Sequence, residues 1–450
     1  MKDYITNYEE AVEFLYRIPR FNSNHCLEHI RQFLRIMGSP DEKIPIVHIA
    51  GTNGKGSTSN YLATLLRASG LKVGLFTSPH LVDIRERFQI NGEMIEKALL
   101  VEAVQKVESL LEQMPGYAPC FFDMMFFVGM YAFSKEEVDI LILETGLGGT
   151  LDATNAVSKK VLTLITHIGL DHTELLGETL DAIATEKAGI MMRGVPLVVG
   201  SNNEAVAHVF IEKAKALDTC CRILGKGDFF CRGVLEKSVA FSYVSRYYGT
   251  IHIALSTSAI YQIQNATLAL AGLDSLIDVG LIKVEKLPLE KIQEALALAV
   301  WPGRMEEVAR GVYLDGAHNL DGIEAFLKSV SEIECVGKRY LVFSAVSDKD
   351  YPMMLKTLLD TKFFDEIVVT SVHGERAVEA KMLYQSLLSA NALVEAKCIP
   401  DLKDALEYVF TKQKQIDDIY IVGSLYLVGQ TKKLFSSHLE FSAKEEGEIV

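Results

Sequence analysis

The sequence predicts an α/β protein of two domains, each built on a largely parallel sheet. The 450 residues exceed what one typical core requires. Strand-like and helical segments alternate in two blocks, as in successive βαβ units. A Pro-Gly pair in Trp301-Pro302-Gly303 separates the second block from a preceding helical segment. We therefore expect a first domain over 1–300, a hinge at 301–303 and a second domain over 304–450.

The first block predicts a P-loop-type domain with an accessory β region. Short apolar runs indicate strands at 44–50, 72–77, 138–145, 161–168 and 195–200, with helices that include 58–68 and 180–189. The alternation weakens over 202–260. There the runs 239–243 and 250–255 predict antiparallel strands of a peripheral sheet.

The second block predicts a smaller, Rossmann-like doubly wound domain. A helix at 289–300 precedes the hinge. The expected strands are 312–315, 339–344, 366–371, 396–399 and 418–423, and the expected helices are 320–330, 352–358, 378–388, 402–412 and 430–435. The Glu-rich stretch 442–450 is expected to fray.

Composition indicates a cytoplasmic enzyme of ordinary solubility. Hydrophobic residues make up 49% and charged residues 23% of the chain. The net charge of −14 argues against nucleic-acid binding. The most apolar segment, 121–133, contains Asp123 and is too short to span a bilayer, and the first residues lack a secretion signal. Seven scattered cysteines indicate reduced thiols.

A glycine-rich loop after the first strand predicts a phosphate site. Its glycines allow backbone amides to converge on oxygen anions, and the helix that follows adds its positive end. Lys55 is expected to reach the β- and γ-phosphates and the Ser57 hydroxyl to ligate Mg²⁺. Gly56 between them departs from the usual spacing, and a simple tight turn is the alternative. The loop consists of Gly51, Thr52, Asn53, Gly54, Lys55, Gly56 and Ser57.

Three further residues are candidates on residue type alone. Glu144 ends a predicted buried strand and faces the same crevice as the loop, where a carboxylate suits Mg²⁺. An acidic residue exposed at a strand end is the alternative. His172 is either a metal or phosphate ligand or a hydrogen-bonded loop residue. Lys187, taken alone, is a surface cation.

An ordered set of motifs is similar to those of a known family. The set is GTNGKGS, SPHL, ETGLGG-x-LDATN, IGLDHT-x-x-LG, EKAGI, WPGR, LDGAHN and GSLYLVG, spanning residues 51–429. It resembles the folylpolyglutamate synthase/dihydrofolate synthase family of the Mur ligase superfamily.

The resemblance implies metal and nucleotide roles. Ser57 and Glu144 would hold one Mg²⁺ with the ATP phosphates, and Glu144, His172 and Lys187 a second. Lys187 matches a lysine that is carbamylated in the superfamily, which would make it an anionic oxygen donor. For the nucleotide, the resemblance implies that Asn265 contacts adenine and that Arg304 contacts a phosphate. Asp315 and His318 would close on the nucleotide and active site from the second domain.

The resemblance also implies the substrates and the reaction. Ser78, Pro79 and His80, with segment 85–92 and Asp152, would contact the folate, and Ser424 would lie near glutamate. ATP would phosphorylate the substrate carboxylate, and the glutamate amine would then attack the acyl phosphate. The acceptor would be tetrahydrofolate or its polyglutamate; family members that use dihydropteroate share these motifs. One chain supplies both halves of the site, so a monomer is expected.

Two departures from the family pattern leave alternatives open. Thr150 stands where the family usually has Arg, and Asp123 where it usually has Glu. A catalytically weakened ATP- and folate-binding paralogue is therefore one alternative. A Mur-type ligase acting on another carboxylate, such as a peptidoglycan precursor, is a second, and a nucleotide-dependent switch that forms no amide is a third.

Overall fold

A computed structural model describes residues 5–20, 26–200, 204–235, 237–390 and 395–442, and these confirm the predicted α/β class. They form an eight-stranded sheet, a six-stranded sheet and a three-stranded antiparallel sheet. The expectation for 442–450 lies outside the described residues beyond Ser442. No helix in the described ranges is long and apolar enough to cross a membrane.

The eight-stranded sheet carries the phosphate loop at its centre. Its order is β4-β3-β2-β5-β1-β6-β7-β8, parallel except for the β3–β4 hairpin, which runs antiparallel on β2. All five predicted strands are confirmed, with slightly shifted ends. The strands are β1 Ile46–Ala50, β2 Val73–Phe76, β3 Phe88–Ile90, β4 Glu93–Met94, β5 Ile140–Glu144, β6 Lys160–Ile165, β7 Leu197–Val199 and β8 Cys221–Ile223.

Helices cover both faces of this sheet. Alternate residues of β1 face opposite cores, since Ile46 packs among α1, α2, α5 and α6 while Val47 packs among α4, α10 and α11. The helices are α1 Tyr8–Arg17, α2 Leu27–Ile36, α3 Pro40–Lys43, α4 Lys55–Ala68, α5 Lys97–Leu111, α6 Phe121–Lys135, α7 Thr173–Leu176, α8 Leu180–Ala188, α9 Ala207–Ala216, α10 Gln262–Asp278 and α11 Leu289–Leu298; 3₁₀ turns lie at Ile84–Arg87, Ala153–Ala156, Glu204–Val206 and Val284–Lys286.

Asp123 has a structural part in α6. Its Oδ2 accepts the Cys120 amide at 3.1 Å, which closes a capping box at the start of that helix. The side chain is 1% exposed. The third helical position of such a box needs a side-chain acceptor, and the carboxylates of both Asp and Glu supply one.

The accessory sheet packs against α10. Its strands are β9 Phe229–Leu235, β10 Ser238–Ser245 and β11 Gly249–Leu255, in the order β11-β10-β9. The two predicted antiparallel strands pair as expected, and β9 was missed. Buried Asp274 of α10 accepts hydrogen bonds from Tyr243 Oη and Ser245 Oγ, both at 2.7 Å, which ties the sheet to the helix.

The six-stranded sheet is doubly wound, as predicted. Its order is β12-β13-β17-β14-β15-β16, with only the β12–β13 pair antiparallel. Leu341 and Val342 of β14 face separate cores on its two sides. The strands are β12 Glu306–Ala309, β13 Val312–Asp315, β14 Arg339–Phe343, β15 Glu366–Val369, β16 Glu395–Cys398 and β17 Asp418–Val422; the helices are α12 Leu320–Ser331, α13 Tyr351–Asp360, α14 Ala380–Ser389, α15 Leu402–Lys412 and α16 Leu425–Ser442.

Several helix bounds differ from the expected ones; α4, for example, begins at Lys55 rather than at 58. The last helix, α16, begins at Leu425 rather than at 430, because Ser424 Oγ accepts the Tyr426 amide at 3.1 Å and starts the first turn. The helix before the hinge ends at Leu298 rather than at 300. The segment 301–303 lies between α11 and β12, and the domain boundary there stays a prediction.

Candidate active site

The phosphate loop joins β1 to α4, and its glycines are required by close contacts. Gly54 has φ +89°, and a Cβ there would lie 2.2 Å from Asn265 Oδ1. A Cβ on Gly51 would lie 1.8 Å from Thr166 Oγ1. Larger residues at either position would push the loop away from its neighbours. The loop therefore keeps its amides at the N-terminus of α4, where an anion binds favourably.

Two lysines converge on one carbonyl of this loop. Lys55 Nζ donates to Gly51 O at 3.0 Å and to Thr52 O at 3.1 Å. Lys187 Nζ donates to the same Gly51 oxygen at 2.8 Å. Burial, assisted by the charge of Lys55, lowers the pKa of Lys187 to about 7. Lys187 is thus a buried amine and not the surface cation that its residue type suggested. Lys55 and the N-terminus of α4 together make the loop attractive to phosphate.

Helix α10 supports the loop from one side. Gln262 Nε2 donates to Ser57 Oγ at 3.2 Å, and Asn265 Nδ2 donates to Gln262 Oε1 at 2.8 Å. The predicted adenine contact, Asn265, therefore lies directly against the phosphate loop. Trp301 of the predicted hinge packs on Gly56, where a Cβ would lie 3.0 Å from its ring.

Glu144 lies at the end of β5, the strand beside β1, and is 3% exposed. Burial raises the pKa of its carboxyl, while the nearby charges of Lys55 and Arg304 oppose that rise. Its Oε2 accepts the Ser78 amide at 2.9 Å. This bond links the predicted metal carboxylate to the predicted folate segment that contains Pro79, which follows Ser78 in a cis peptide.

The loop after β6 presents Asp171 and His172 to the second domain. Lys349 Nζ forms an ion pair with Asp171, and His172 Nε2 lies 3.4 Å from Lys349 Nζ. Burial opposes ionisation of Asp171, but Lys349 and His318 hold its pKa well below the usual range. Burial lowers the pKa of His172, which favours a neutral imidazole.

His318 is a neutral, oriented imidazole. Burial, with Lys349, lowers its pKa to about 4. Its Nδ1 lies 2.8 Å from Gly316 O, and a carbonyl only accepts, so Nδ1 carries the proton. Nε2 is then the acceptor nitrogen, 3.9 Å from Asp171 Oδ2.

Asp315 of β13 organises the entry to the second domain. Its Oδ2 accepts Tyr261 Oη at 2.5 Å and the Met305 amide at 2.9 Å, and its Oδ1 accepts the Ala317 amide at 2.8 Å. Burial raises its pKa, and Arg304 opposes the rise. Arg304 itself donates to Gly303 O at 2.9 Å.

The predicted folate segment forms an aromatic and cationic wall. Arg87 Nε donates to His80 Nδ1 at 2.8 Å, so the proton of His80 lies on Nε2, 2.9 Å from Tyr16 Oη. Burial, with Arg87, lowers the pKa of His80 to about 3. The Arg87 guanidinium lies 5.4 Å from the centre of the Phe121 ring, which stacks on Tyr16.

Asp152 and Thr150 both shape the loop that follows β5. Asp152 Oδ2 accepts the amides of Gly146 and Leu147, each at 2.9 Å, and Oδ1 accepts the Thr154 amide at 3.0 Å. Its predicted contact with substrate stays a prediction. Thr150 Oγ1 donates to Glu186 O at 3.1 Å, one residue before Lys187.

Ser424 is buried at the start of α16, where its Oγ accepts the Tyr426 amide at 3.1 Å. Helix α16 meets the folate segment, since a Cβ on Gly429 would lie 2.2 Å from Leu81 O. The sites predicted for glutamate and folate therefore share a boundary at which the two domains touch.

Sequence reasoning missed several residues that belong to this crevice. Gln262 is the first residue of α10 and Tyr261 is its N-cap, and the signal for both was their position just before Asn265 in the sequence. Lys349 lies in an Asp-Lys-Asp run after β14, a position at which parallel strands present functional groups. Asn319 ends the DGAHN motif but was given no role. Within the described residues, no three His, Cys, Asp or Glu side chains lie together as a metal site. The predicted metal ligands include only two such residues, Glu144 and His172.

Known proteins resemble this chain in sequence. Residues 303–425 match the family model "Mur ligase, glutamate ligase domain". The dihydrofolate synthase/folylpolyglutamate synthase of Bacillus subtilis is 31% identical over 446 residues, covering 95% of this chain and 99% of the relative.

Solved structures match over almost the full length. E. coli FolC in complex with DHPP and ADP gives a TM-score of 0.84 at 26% identity, covering 96% of this chain and 98% of that one. Mycobacterium tuberculosis folylpolyglutamate synthase complexed with ADP and AMPPCP gives 0.85 at 27% identity, covering 95% and 98%. Motifs, fold and full-length relatives agree, and the chain belongs to the folylpolyglutamate synthase/dihydrofolate synthase family of Mur ligases.

Proposed function

We propose that this chain is an ATP-dependent ligase that joins L-glutamate to the carboxylate of a folate. The observation that carries the proposal is the convergence of Lys55 and Lys187 on Gly51 O, beside a buried carboxylate and facing a second domain that matches a glutamate ligase domain. This arrangement binds the phosphates of ATP and presents them to a substrate held between the domains.

The chain's own residues provide binding and orientation for an acyl transfer. A free carboxylate is a poor electrophile, so it is first phosphorylated by ATP. The cationic loop and Arg304 balance the charge of the transferred group. The amine of glutamate then attacks the acyl phosphate and releases phosphate. Neutral His318, whose Nδ1 carries the proton, offers its Nε2 as a hydrogen-bond acceptor that would orient this amine.

The donor set fits Mg²⁺, which would balance charge on the phosphates when bound. Glu144 is a buried carboxylate whose ionised form burial disfavours, so a bound cation would stabilise it. Ser57 offers a hydroxyl oxygen, and neutral His172 offers an imidazole nitrogen. We propose these residues and Lys187 as the groups that hold the metal.

We further propose that Lys187 is carbamylated. Only the neutral amine reacts with CO₂, and the pKa of about 7 makes the neutral form abundant near pH 7. The N–H of the carbamate would still donate to Gly51 O. Its two oxygens would carry a negative charge where the ammonium carried a positive one, and they would be able to ligate a metal. The charge repulsion with Lys55 would then become an attraction.

The acceptor is tetrahydrofolate or its polyglutamate, with dihydropteroate as a second acceptor. Support for the second comes from the Bacillus subtilis relative, which carries both activities in its name. We propose that the enzyme acts as a monomer, because one chain carries both walls of the crevice. We propose that it acts in the cytoplasm, because its seven cysteines lack paired spacing.

Phosphate release tests the proposal. The purified protein with ATP and Mg²⁺ is assayed with L-glutamate and either tetrahydrofolate, dihydropteroate or no acceptor, with Lys55→Ala as the matched inactive control. Release that requires both glutamate and a pterin acid is expected. ATP binding without glutamate-dependent release for any acceptor would instead identify a binding paralogue and direct attention to Thr150.

A further inference from the structure

The side chain of Asn319 connects the two domains at the phosphate loop. Asn319 is the N-cap of α12, and its Oδ1 accepts the Gly322 amide at 2.9 Å. The residue is 5% exposed. A cap needs only this one bond, so the remaining hydrogen-bonding groups of the amide are available for another purpose.

Those remaining groups all bind the first domain. Asn319 and Asn53 form a reciprocal amide pair, with Nδ2–Oδ1 distances of 3.0 and 3.1 Å. Asn319 Nδ2 also donates to Asp171 Oδ2 at 2.9 Å. The amide thus uses two donors and two acceptors, its full capacity. Asn53 belongs to the phosphate loop and Asp171 to the loop after β6.

A reciprocal amide pair depends strictly on geometry. Both bonds exist at once only when the two amide planes lie edge to edge at one separation, so a small displacement of either domain breaks both. Asn53 stands between Thr52, which bonds the loop after β6, and Gly54, the N-cap of α4. The side chain of Asn53 is therefore placed by the second domain, while the backbone at Asn53 bridges His167 of the first domain.

We infer that Asn319 is a positioning residue that couples closure of the second domain to the shape of the phosphate loop. The inference rests on the proposed function, since closure matters here because an acyl phosphate must be kept from water. Lys349 adds a second contact from the same domain to Asp171. When the domains close, Asn319 holds the loop in the form that this structure shows. When they open, the loop loses both amide bonds together.

Three variants separate this role from capping. Asn319→Ser keeps a good N-cap residue but is too short to form the amide pair. Asn53→Ala removes the other half of the pair. Asp401→Ser is the matched control, because Asp401 caps α15 through the Asp404 amide at 3.0 Å within its own domain.

Two measurements on the full chain test the coupling. In the phosphate-release assay, Asn319→Ser is expected to lower kcat about tenfold, in keeping with the loss of a few hydrogen bonds. The Asn53→Ala/Asn319→Ser double variant should lose no more than Asn319→Ser alone, because the pair acts as one unit. Small-angle scattering with AMPPCP and Mg²⁺ should show a larger radius of gyration for Asn319→Ser than for the wild type, with Asp401→Ser unchanged.

The outcomes distinguish this inference from the proposed function. Additive losses in the double variant, an equal loss in Asp401→Ser, or a wild-type radius of gyration in Asn319→Ser would overturn the coupling. A wild-type protein without glutamate-dependent phosphate release would overturn the proposed ligase. The scattering comparison would still decide the coupling, because it requires no turnover.

Discussion

Lys187 provides the sharpest prediction, because its chemistry depends on an amine that the fold keeps partly neutral. The side chain is 4% exposed, donates to Gly51 O, and has Lys55 on the same carbonyl. Both burial and the like charge disfavour the ammonium. We expect CO₂-depleted protein to lose ligase activity and to regain it on addition of bicarbonate. Lys187→Met, which keeps an apolar stem but no amine, should stay inactive under both conditions.

The pKa sets the size of the effect. With a pKa of about 7, roughly half of the Lys187 side chains are neutral at pH 7. At the ordinary lysine value, about one in 3,000 would be neutral at that pH. Below the pKa the neutral fraction falls, so it drops about tenfold between pH 8 and pH 6. At a fixed concentration of dissolved CO₂, reactivation should therefore be about tenfold slower at pH 6 than at pH 8.

The assay follows both the bond and the activity. Depleted protein receives ¹³C-labelled bicarbonate, carbamate formation is followed by ¹³C NMR, and phosphate release is sampled in parallel. A labelled carbamate is expected in the wild type and none at this position in Lys187→Met. Equal reactivation rates at pH 6 and pH 8, or full activity in depleted protein without label, would refute the reasoning.

Three further predictions concern the loop and its support. Lys55→Ala should lower ATP turnover about a hundredfold or more, because it removes a cation that faces the phosphates. Phosphate release measures this loss. Gly54→Ala should weaken ATP binding, because its Cβ would lie 2.2 Å from Asn265 Oδ1 at φ +89°, and calorimetry would measure the change. Asp274→Ala should lower the free energy of unfolding by about 3 kcal/mol, because it leaves buried Tyr243 without its partner, as urea denaturation would show.

Each of these has a result that contradicts it. Unchanged turnover in Lys55→Ala would remove the phosphate-loop interpretation. ATP affinity in Gly54→Ala equal to that of the wild type would mean that the loop relaxes at no cost. An unfolding free energy in Asp274→Ala within about 0.5 kcal/mol of the wild type would show that the buried network adds no net stability.

The parts of the fold that the sequence predicts are those with a strong local pattern. Strand β5 is apolar at 140–143 because parallel strands are buried on both faces, and such runs are easily detected. Strands β3, β4 and β8 are two or three residues long and each contains a polar residue, so no apolar run marks them as β7 is marked. Helix α6 is buried almost all round, so it lacks the 3.6-residue periodicity that identifies an amphipathic helix.

In the candidate site, too, the predictable residues are those that a local sequence pattern places. Glu144, His172 and the phosphate loop each follow a parallel strand, and parallel strands end at one edge of a sheet, so their proximity was predictable. The contacts of Lys349 and Asn319 with Asp171 were not, because they depend on how two separately patterned domains meet. Arg87, a buried cation beside His80 and Phe121, was indicated only by its place in segment 85–92.

The packing of Trp301 on Gly56 also gives the molecule an internal optical reporter. Trp301 is the only tryptophan in the chain, so its emission comes from one place, between the phosphate loop and the predicted hinge. Nucleotide arriving at the loop, or the second domain moving about 301–303, changes the polarity around that one indole. Unlabelled protein in a fluorimeter can therefore report both events in real time, before any product is formed.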